Sequence, residues 1–125
     1  MSLFSLYVGV SCLLITLLAL NVSRVRIVEK VRHGDGGNKK LRKAVGAHAN
    51  ALEHMIPFAL MVFVLQEQGV SHAVLKVLVS GFLVLRLFHA FGMIFSYYRV
   101  WLIAAGLSFF MSLYAGILIV TTYYQ

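Results

Sequence analysis

The sequence predicts an all-α integral membrane protein in which four transmembrane helices form a bundle. Apolar residues make up 61% of the 125 positions and charged residues 12%, against roughly 45–50% and about 25% in soluble domains. A domain this small has too little interior to hide so much apolar surface from water, so lipid must solvate it. Its apolar runs of about 20 residues suit helices that cross a hydrocarbon core of about 30 Å, rather than the shorter alternating strands of a barrel.

The whole chain, residues 1–125, is predicted to be one membrane domain with four spans. The first and fourth spans carry no charged side chain, whereas the third contains Lys76 and Arg86. Short links between consecutive spans predict that sequential neighbours are antiparallel. The spans cover about residues 3–22, 44–65, 73–95 and 100–122, and a basic loop covers residues 23–43.

The basic residues predict how the chain is oriented. Eight of the eleven Lys and Arg lie in the loop of residues 23–43, and Arg99 lies in the third connection. The positive-inside rule therefore places both connections in the cytoplasm and both termini on the non-cytoplasmic side. In a prokaryote the membrane would be the inner membrane. A single basic loop between apolar runs argues against nucleic-acid binding, and the lone Cys12 indicates neither an intramolecular disulfide nor a metal site.

Polar residues of spans two and three meet at one depth. Counted from the cytoplasmic ends of their spans, Asn50 lies about 9 Å and Glu53 about 13 Å deep, and His89 lies about 10 Å and Arg86 about 15 Å deep. Ionisable groups inside a span need a partner or a function. The simplest arrangement sets Glu53 against Arg86, either within one chain or between two chains.

Three further arginines lie on the cytoplasmic side of these polar residues. Arg24 and Arg26 end the first span and Arg99 begins the fourth. A polar pocket ringed by guanidinium groups suits a small anionic ligand, because guanidinium pairs well with carboxylate. The same polar residues also suit a purely structural lock between helices, and the physical argument favours neither. The small Gly106 and Gly116 of span four predict close helix packing.

The segment of residues 47–57 carries a recognisable motif. Asn50 is followed by Glu53 three residues on and by Pro57 four further, and residues 86–92 of span three read Arg-Leu-Phe-His-Ala-Phe-Gly. Together with the basic end of span one and the glycine-rich turn at residues 34–38, these segments resemble the MAPEG family, the membrane-associated proteins of eicosanoid and glutathione metabolism. The likeness is to prokaryotic members and covers essentially the whole chain.

The resemblance implies a homotrimer in the lipid bilayer that holds glutathione, as co-substrate, between neighbouring subunits near the cytoplasmic face. It implies a glutathione-dependent transferase or peroxidase acting on lipophilic electrophiles. Arg99 is then the candidate catalytic residue that stabilises the glutathione thiolate, which is the nucleophile. The implied glutathione-binding residues are Arg24, Arg26, Asn50, Glu53, Arg86 and His89.

Two positions depart from the family pattern. Gly46 stands where the family usually has an arginine, and Met93 stands at a tyrosine position of span three. These departures leave open a non-catalytic protein of the same fold that binds a lipid or another small anion. A third alternative is a small proton-coupled exporter, although such proteins carry their essential glutamate in span one, where this chain has no acid.

Overall fold

A computed structural model describes residues 2–124, which form four helices. They are α1 (Leu3–Glu29), α2 (Lys39–Glu67), α3 (His72–Phe95) and α4 (Tyr98–Tyr123). Each is long and apolar enough to cross a membrane, and residues 2–124 contain no strand. The predicted fold class, an all-α membrane protein built as a four-helix bundle, is confirmed.

The basic segment between the first two spans is mostly helical, in contrast to the predicted loop of residues 23–43. α1 continues to Glu29 and α2 already begins at Lys39, so only residues 30–38 connect them. Arginine and lysine are good helix formers, and their long side chains reach polar surroundings while the backbone stays helical. Lys30 in the left-handed conformation ends α1, and the Asn38 side chain accepts from the Leu41 N–H at 3.0 Å to begin α2.

α2 and α3 form the middle of the bundle. α1 packs on one side of this pair and α4 on the other, and within the described residues the backbones of α1 and α4 do not approach each other. The four helices therefore do not close into a ring, because α1 and α4 are not in contact within residues 2–124. Large parts of α1 and α4 face outward and need lipid or another protein chain to cover them.

Hydrogen bonds tie the helix ends together. At one end of the bundle, the Ser2 hydroxyl donates to Gln66 Oε1 at 2.8 Å. At the other end, the Asn38 amide donates to Glu29 Oε2 at 2.8 Å. We call this second end, which carries residues 30–38 and the turn between α3 and α4, the loop end.

An aromatic core fills the space among α1, α2 and α3. The rings of Phe58 and Phe82 stack with centroids 3.7 Å apart, and Tyr7 packs on both rings. The Tyr7 hydroxyl donates to the Met55 carbonyl at 3.0 Å, so this buried polar group is satisfied within the core. Phe82 lies one helical turn from Arg86, which places the aromatic core directly beneath the predicted polar site.

The close contact between α3 and α4 depends on glycines other than those predicted. A Cβ on Gly106 or Gly116 would meet nothing within 4 Å, so neither glycine permits a close approach inside this chain. A Cβ on Gly92 would instead lie 2.7 Å from the backbone nitrogen of Trp101. Gly92 is therefore the position where the absence of a side chain lets α4 begin against α3.

Candidate polar site at the loop end of the bundle

Arg86, Asn50 and His89 form one hydrogen-bonded cluster between α2 and α3. An Arg86 Nη2–H group donates to Asn50 Oδ1, and the same nitrogen lies 3.3 Å from His89 Nδ1. Arg86 and His89 are each only 2% exposed, whereas Asn50 is half-buried. The predicted meeting of these three side chains at one depth occurs within a single chain.

The chemistry of guanidinium fixes the roles of its two partners. Because guanidinium has donors and no acceptor, His89 Nδ1 must accept from it, which puts the histidine proton on Nε2. Asn50 likewise accepts through Oδ1, so its Nδ2 group remains as a pair of donors with no partner among residues 2–124. Polarisation by the cation makes those N–H groups stronger donors.

Among residues 2–124, no carboxylate forms an ion pair with Arg86. The ion pairs in the described part of the chain join Lys40 to Glu29 and Arg42 to Asp35, and Arg86 Nε is buried without a hydrogen-bond partner. An uncompensated buried cation is expensive at membrane depth. The cluster therefore presents a positive electrostatic potential that a nearby anion would lower.

Glu53 does not pair with Arg86 within this chain. Glu53 lies on the exposed face of α2. The same face includes Ile56 and Leu60, which are 53% and 64% exposed and lie farther from the loop end. Successive residues at spacings of three and four keep one helical face, and that face points away from α1, α3 and α4. Within one chain the predicted pairing of Glu53 with Arg86 does not form, and their pairing between two chains stays a prediction.

The two positions that depart from the family pattern, Gly46 and Met93, lie next to each other across α2 and α3. A Cβ on Gly46 would lie 3.1 Å from the terminal methyl of Met93, and Met93 is partly buried against the core. Gly46 is one turn from Asn50 and Met93 is one turn from His89, so this contact sits immediately toward the loop end from the polar cluster. A flexible thioether occupies the place that a longer side chain at position 46 would enter.

The three arginines of the predicted ring point in different directions. Arg24 donates to Asn21 Oδ1 at 3.0 Å on the surface of α1. Arg26 donates to the Gly34 carbonyl at 2.7 Å and thereby holds the connection between α1 and α2. Arg99 is exposed in the first turn of α4. None of the three hydrogen-bonds to the Asn50–Arg86–His89 cluster in the part of the chain that is described, so their assignment to a ligand stays a prediction.

The connection between α1 and α2 contains a compact charged turn. Asp35 Oδ1 accepts from the Gly37 N–H at 2.9 Å, and Asp35 Oδ2 accepts from Arg42 Nε at 3.0 Å. The Gly37 hydrogen bond first, and the Arg42 guanidinium second, hold the pKa of the Asp35 carboxyl below its ordinary value. Among residues 2–124 no three His, Cys, Asp or Glu side chains come together as metal ligands.

Four spanning helices around a buried arginine define a class of small multi-pass membrane proteins with a polar site inside the lipid layer. The chain belongs to the MAPEG family, whose sequence model matches residues 4–121. It is similar to inner membrane protein YecN of Escherichia coli strain K12, with 33% identity over 93 residues that cover 70% of this chain and 67% of that protein. YecN of Escherichia coli O6:H1 matches to the same extent. No solved structure matches the chain.

Proposed function

We propose that the protein is a glutathione-dependent transferase or peroxidase that acts on lipophilic electrophiles at the cytoplasmic face of the bacterial inner membrane. The observation that carries the proposal is Asn50, whose amide N–H donors have no partner among residues 2–124 and whose oxygen accepts from the buried Arg86 cation. Such a group suits a carboxylate, and glutathione has two of them. Membership of the MAPEG family is consistent with this activity, and the inner-membrane relatives support the membrane location.

The proposed assembly is a homotrimer with the ligand between neighbouring subunits. The exposed position of Glu53 supports this, because a carboxylate on a helix face at membrane depth requires a protein or water-filled cover. A neighbouring chain placed against α2 would cover Glu53 together with Ile56 and Leu60. The neighbouring chain would also place Glu53 and the carboxylates of the ligand near the positive charge of Arg86.

The proposed chemistry begins with the glutathione thiolate. A nearby cation lowers the pKa of a thiol and so supplies the nucleophile, and Arg99 takes this role in the proposal. In the transferase reaction, the sulfur forms a bond to an electrophilic carbon while the leaving group departs with its electron pair. In the peroxidase reaction, two glutathione molecules are oxidised to the disulfide while a hydroperoxide is reduced to an alcohol and water.

A second function is favoured by the contact between Gly46 and Met93. If the Met93 methyl permanently occupies the place of the family's arginine side chain, the site has lost one of its carboxylate-binding cations. The protein would then be a non-catalytic member that binds a lipid or another small anion. The exporter alternative is not supported, because Glu29, the only acid of α1, lies at its last residue and pairs with Lys40 outside the apolar run.

Calorimetric titration with glutathione distinguishes the two functions. We compare wild type with Gly46→Arg/Met93→Ala, which restores the cation and removes the methyl in its way, and with Met93→Ala alone as the matched control. The proposal expects wild type to bind glutathione and the double variant to bind roughly tenfold more tightly than the control.

Two outcomes of this titration decide against glutathione chemistry. Binding by the double variant alone would mean a homologous site whose native ligand is different, which is the second function. No binding by any of the three proteins at millimolar glutathione, with the assembly intact, would remove the glutathione site altogether.

A further inference from the structure

A long apolar groove runs along the surface between α3 and α4, beginning near the end of the bundle opposite the loop end. It consists of two cavities of about 670 Å³ and 390 Å³, which adjoin because Val77 and Tyr114 line both. On α3 the lining reaches from Ala73 to Leu85. None of the residues assigned to the polar site lines it, so the groove is a separate feature of the molecule.

The lining of the groove suits a hydrocarbon chain. Apart from Ser80 and Tyr114 its residues are apolar, and the Ser80 hydroxyl already donates to the Lys76 carbonyl at 2.7 Å. Gly81 makes room for α4, since a Cβ there would lie 2.9 Å from the Met111 methyl. A polar ligand would lose its hydration in this groove without new hydrogen bonds in return.

The length of the groove matches one leaflet of a bilayer. The 12 steps from Ala73 to Leu85 cover about 18 Å at 1.5 Å per residue, and half of the hydrocarbon core is about 15 Å. Because Ala73 is the second residue of α3, the groove begins where the helix enters the apolar layer. One acyl chain of that leaflet therefore fits along it from the head groups to the middle of the membrane.

Lys76 provides a positive charge beside the outer part of the groove. It lies three residues from Ala73 and four from Ser80, so it borders the same helical face. Lys76 is exposed, and no carboxylate of residues 2–124 forms an ion pair with it. Side chains of a helix lean toward its N-terminus, which for α3 is the end opposite the loop end. The ammonium group thus reaches the head groups while its stem covers apolar surface.

The groove faces away from the surface proposed for subunit contact. On α4, Phe109 packs against His54 of α2, with ring centroids 5.1 Å apart. Leu107 and Phe110 lie on another side of α4 and line the groove with α3. A neighbouring chain that covers Glu53 on α2 therefore leaves the groove open to lipid.

We propose that this groove binds an anionic phospholipid of the leaflet opposite the loop end. One acyl chain lies along the groove, and a phosphate oxygen accepts from the ammonium group of Lys76. A lysine at head-group level favours an anionic lipid over a zwitterionic one, whereas the apolar lining accepts the chain of either. The inference does not rest on the proposed glutathione reaction.

Native mass spectrometry of the protein purified in detergent tests the proposal by counting retained lipids. Samples receive phosphatidylglycerol, phosphatidylcholine or oleate at equal concentrations. Lys76→Gln removes the head-group contact and Lys76→Arg keeps its charge, with Lys39→Gln, which removes an exposed charge at the loop end, as the matched control. Val77→Phe narrows the groove where its cavities adjoin, and Leu13→Phe adds a ring at a position of α1 that is equally exposed, 67% against 68%.

The proposal expects a separate effect from each type of substitution. Wild type, Lys76→Arg and Lys39→Gln should retain phosphatidylglycerol about fivefold over phosphatidylcholine, and Lys76→Gln should lose that preference. Val77→Phe should lower the retention of both phospholipids, because the added ring takes the place of the acyl chain, and Leu13→Phe should not.

Several results would overturn the proposal. Loss of the preference in Lys39→Gln as well would mean a diffuse effect of net charge, and no preference in wild type would exclude head-group recognition. Stronger retention of oleate than of phosphatidylglycerol would make a fatty acid the ligand. Unchanged retention in Val77→Phe, or an equal decrease in Leu13→Phe, would place the acyl chain elsewhere. A smaller assembly in Val77→Phe alone would make the groove a contact between copies of this chain.

Discussion

At the scale of single residues, the hydrogen bond from Arg86 to Asn50 lies in the proposed ligand site and also contributes to the stability of the protein. Removing the Asn50 amide leaves a buried guanidinium that has lost its best acceptor. We expect Asn50→Ala to lower the free energy of unfolding by about 2 kcal/mol, since hydrogen bonds to charged groups are worth more than neutral ones. Thermal or denaturant unfolding in detergent, followed by circular dichroism, measures this.

The chain provides a matched control for this substitution. Asn21 also accepts from an arginine, Arg24, at 3.0 Å, but this pair is exposed. Water replaces such a bond with little loss, so Asn21→Ala should leave the unfolding free energy within about 0.5 kcal/mol of wild type. Equal effects of the two substitutions would contradict the burial that distinguishes them.

Asp35 makes the connection between α1 and α2 sensitive to acid. Its carboxylate form accepts from Gly37 and Arg42, which lowers its pKa in the folded protein. The stabilisation of the turn is therefore complete above the ordinary pKa of an aspartate and is lost as the pH falls through the lowered value.

The Gly37 amide proton reports on this titration by NMR. Its chemical shift should change with a midpoint below that of an aspartate in an unstructured peptide, and Asp35→Asn should abolish the change. A midpoint at or above the ordinary value would contradict the hydrogen bond from Gly37 to the carboxylate.

The sequence predicts part of the polar site and misses the rest for identifiable reasons. Depth along two spans correctly brought Asn50, Arg86 and His89 together, because helical rise is constant. Depth does not fix how a helix is rotated about its own axis, so the sequence does not determine that Glu53 faces outward. The contact of Gly46 with Met93 joins residues far apart in the chain, and only the packing of α2 on α3 reveals it.

At the scale of helices, the start of α4 depends on Gly92. A side chain there would lie 2.7 Å from the Trp101 backbone nitrogen and 2.8 Å from Trp101 Cβ, and backbone atoms yield less readily than the end of a flexible side chain. We expect Gly92→Ala to destabilise the protein by about 1–3 kcal/mol, the usual cost of overpacking. Thermal unfolding in detergent checks this.

Gly106 is the matched control, since it is also helical but an added Cβ there meets nothing. Gly106→Ala should be neutral or stabilising by up to about 1 kcal/mol, because alanine has the higher helix propensity. Destabilisation of similar size in both variants would contradict this difference. It would mean that a neighbouring chain packs against Gly106 as closely as the start of α4 packs against Gly92.

Helix ends illustrate a second limit of prediction from sequence. Hydropathy predicts the residues that need lipid, and each of the four predicted runs lies within one observed helix. It does not detect where a helix stops after it leaves the lipid. α1 runs seven residues past the predicted end at residue 22, as far as Glu29, because its arginines favour helix and Lys30 supplies the left-handed end.

At the scale of the whole molecule, the open arrangement of the helices predicts an oligomer. α1 and α4 bury little of their surface within one chain, and α2 exposes Glu53 at membrane depth. We expect the protein purified in a mild detergent to have a protein mass of about three chains of 13.9 kDa. Light scattering coupled to size-exclusion chromatography measures that mass, and a stable monomer that binds glutathione would contradict the proposed site between subunits.

The proposed function requires that this chain binds glutathione and ionises its thiol. The most direct measurement is the ultraviolet difference spectrum of glutathione mixed with the purified wild-type assembly at neutral pH. We expect a thiolate absorbance that saturates with glutathione, that is absent with S-methylglutathione and that is strongly reduced in Arg99→Gln. Absence of any thiolate signal at millimolar glutathione, with the assembly intact and ligand binding demonstrated by calorimetry, would contradict it.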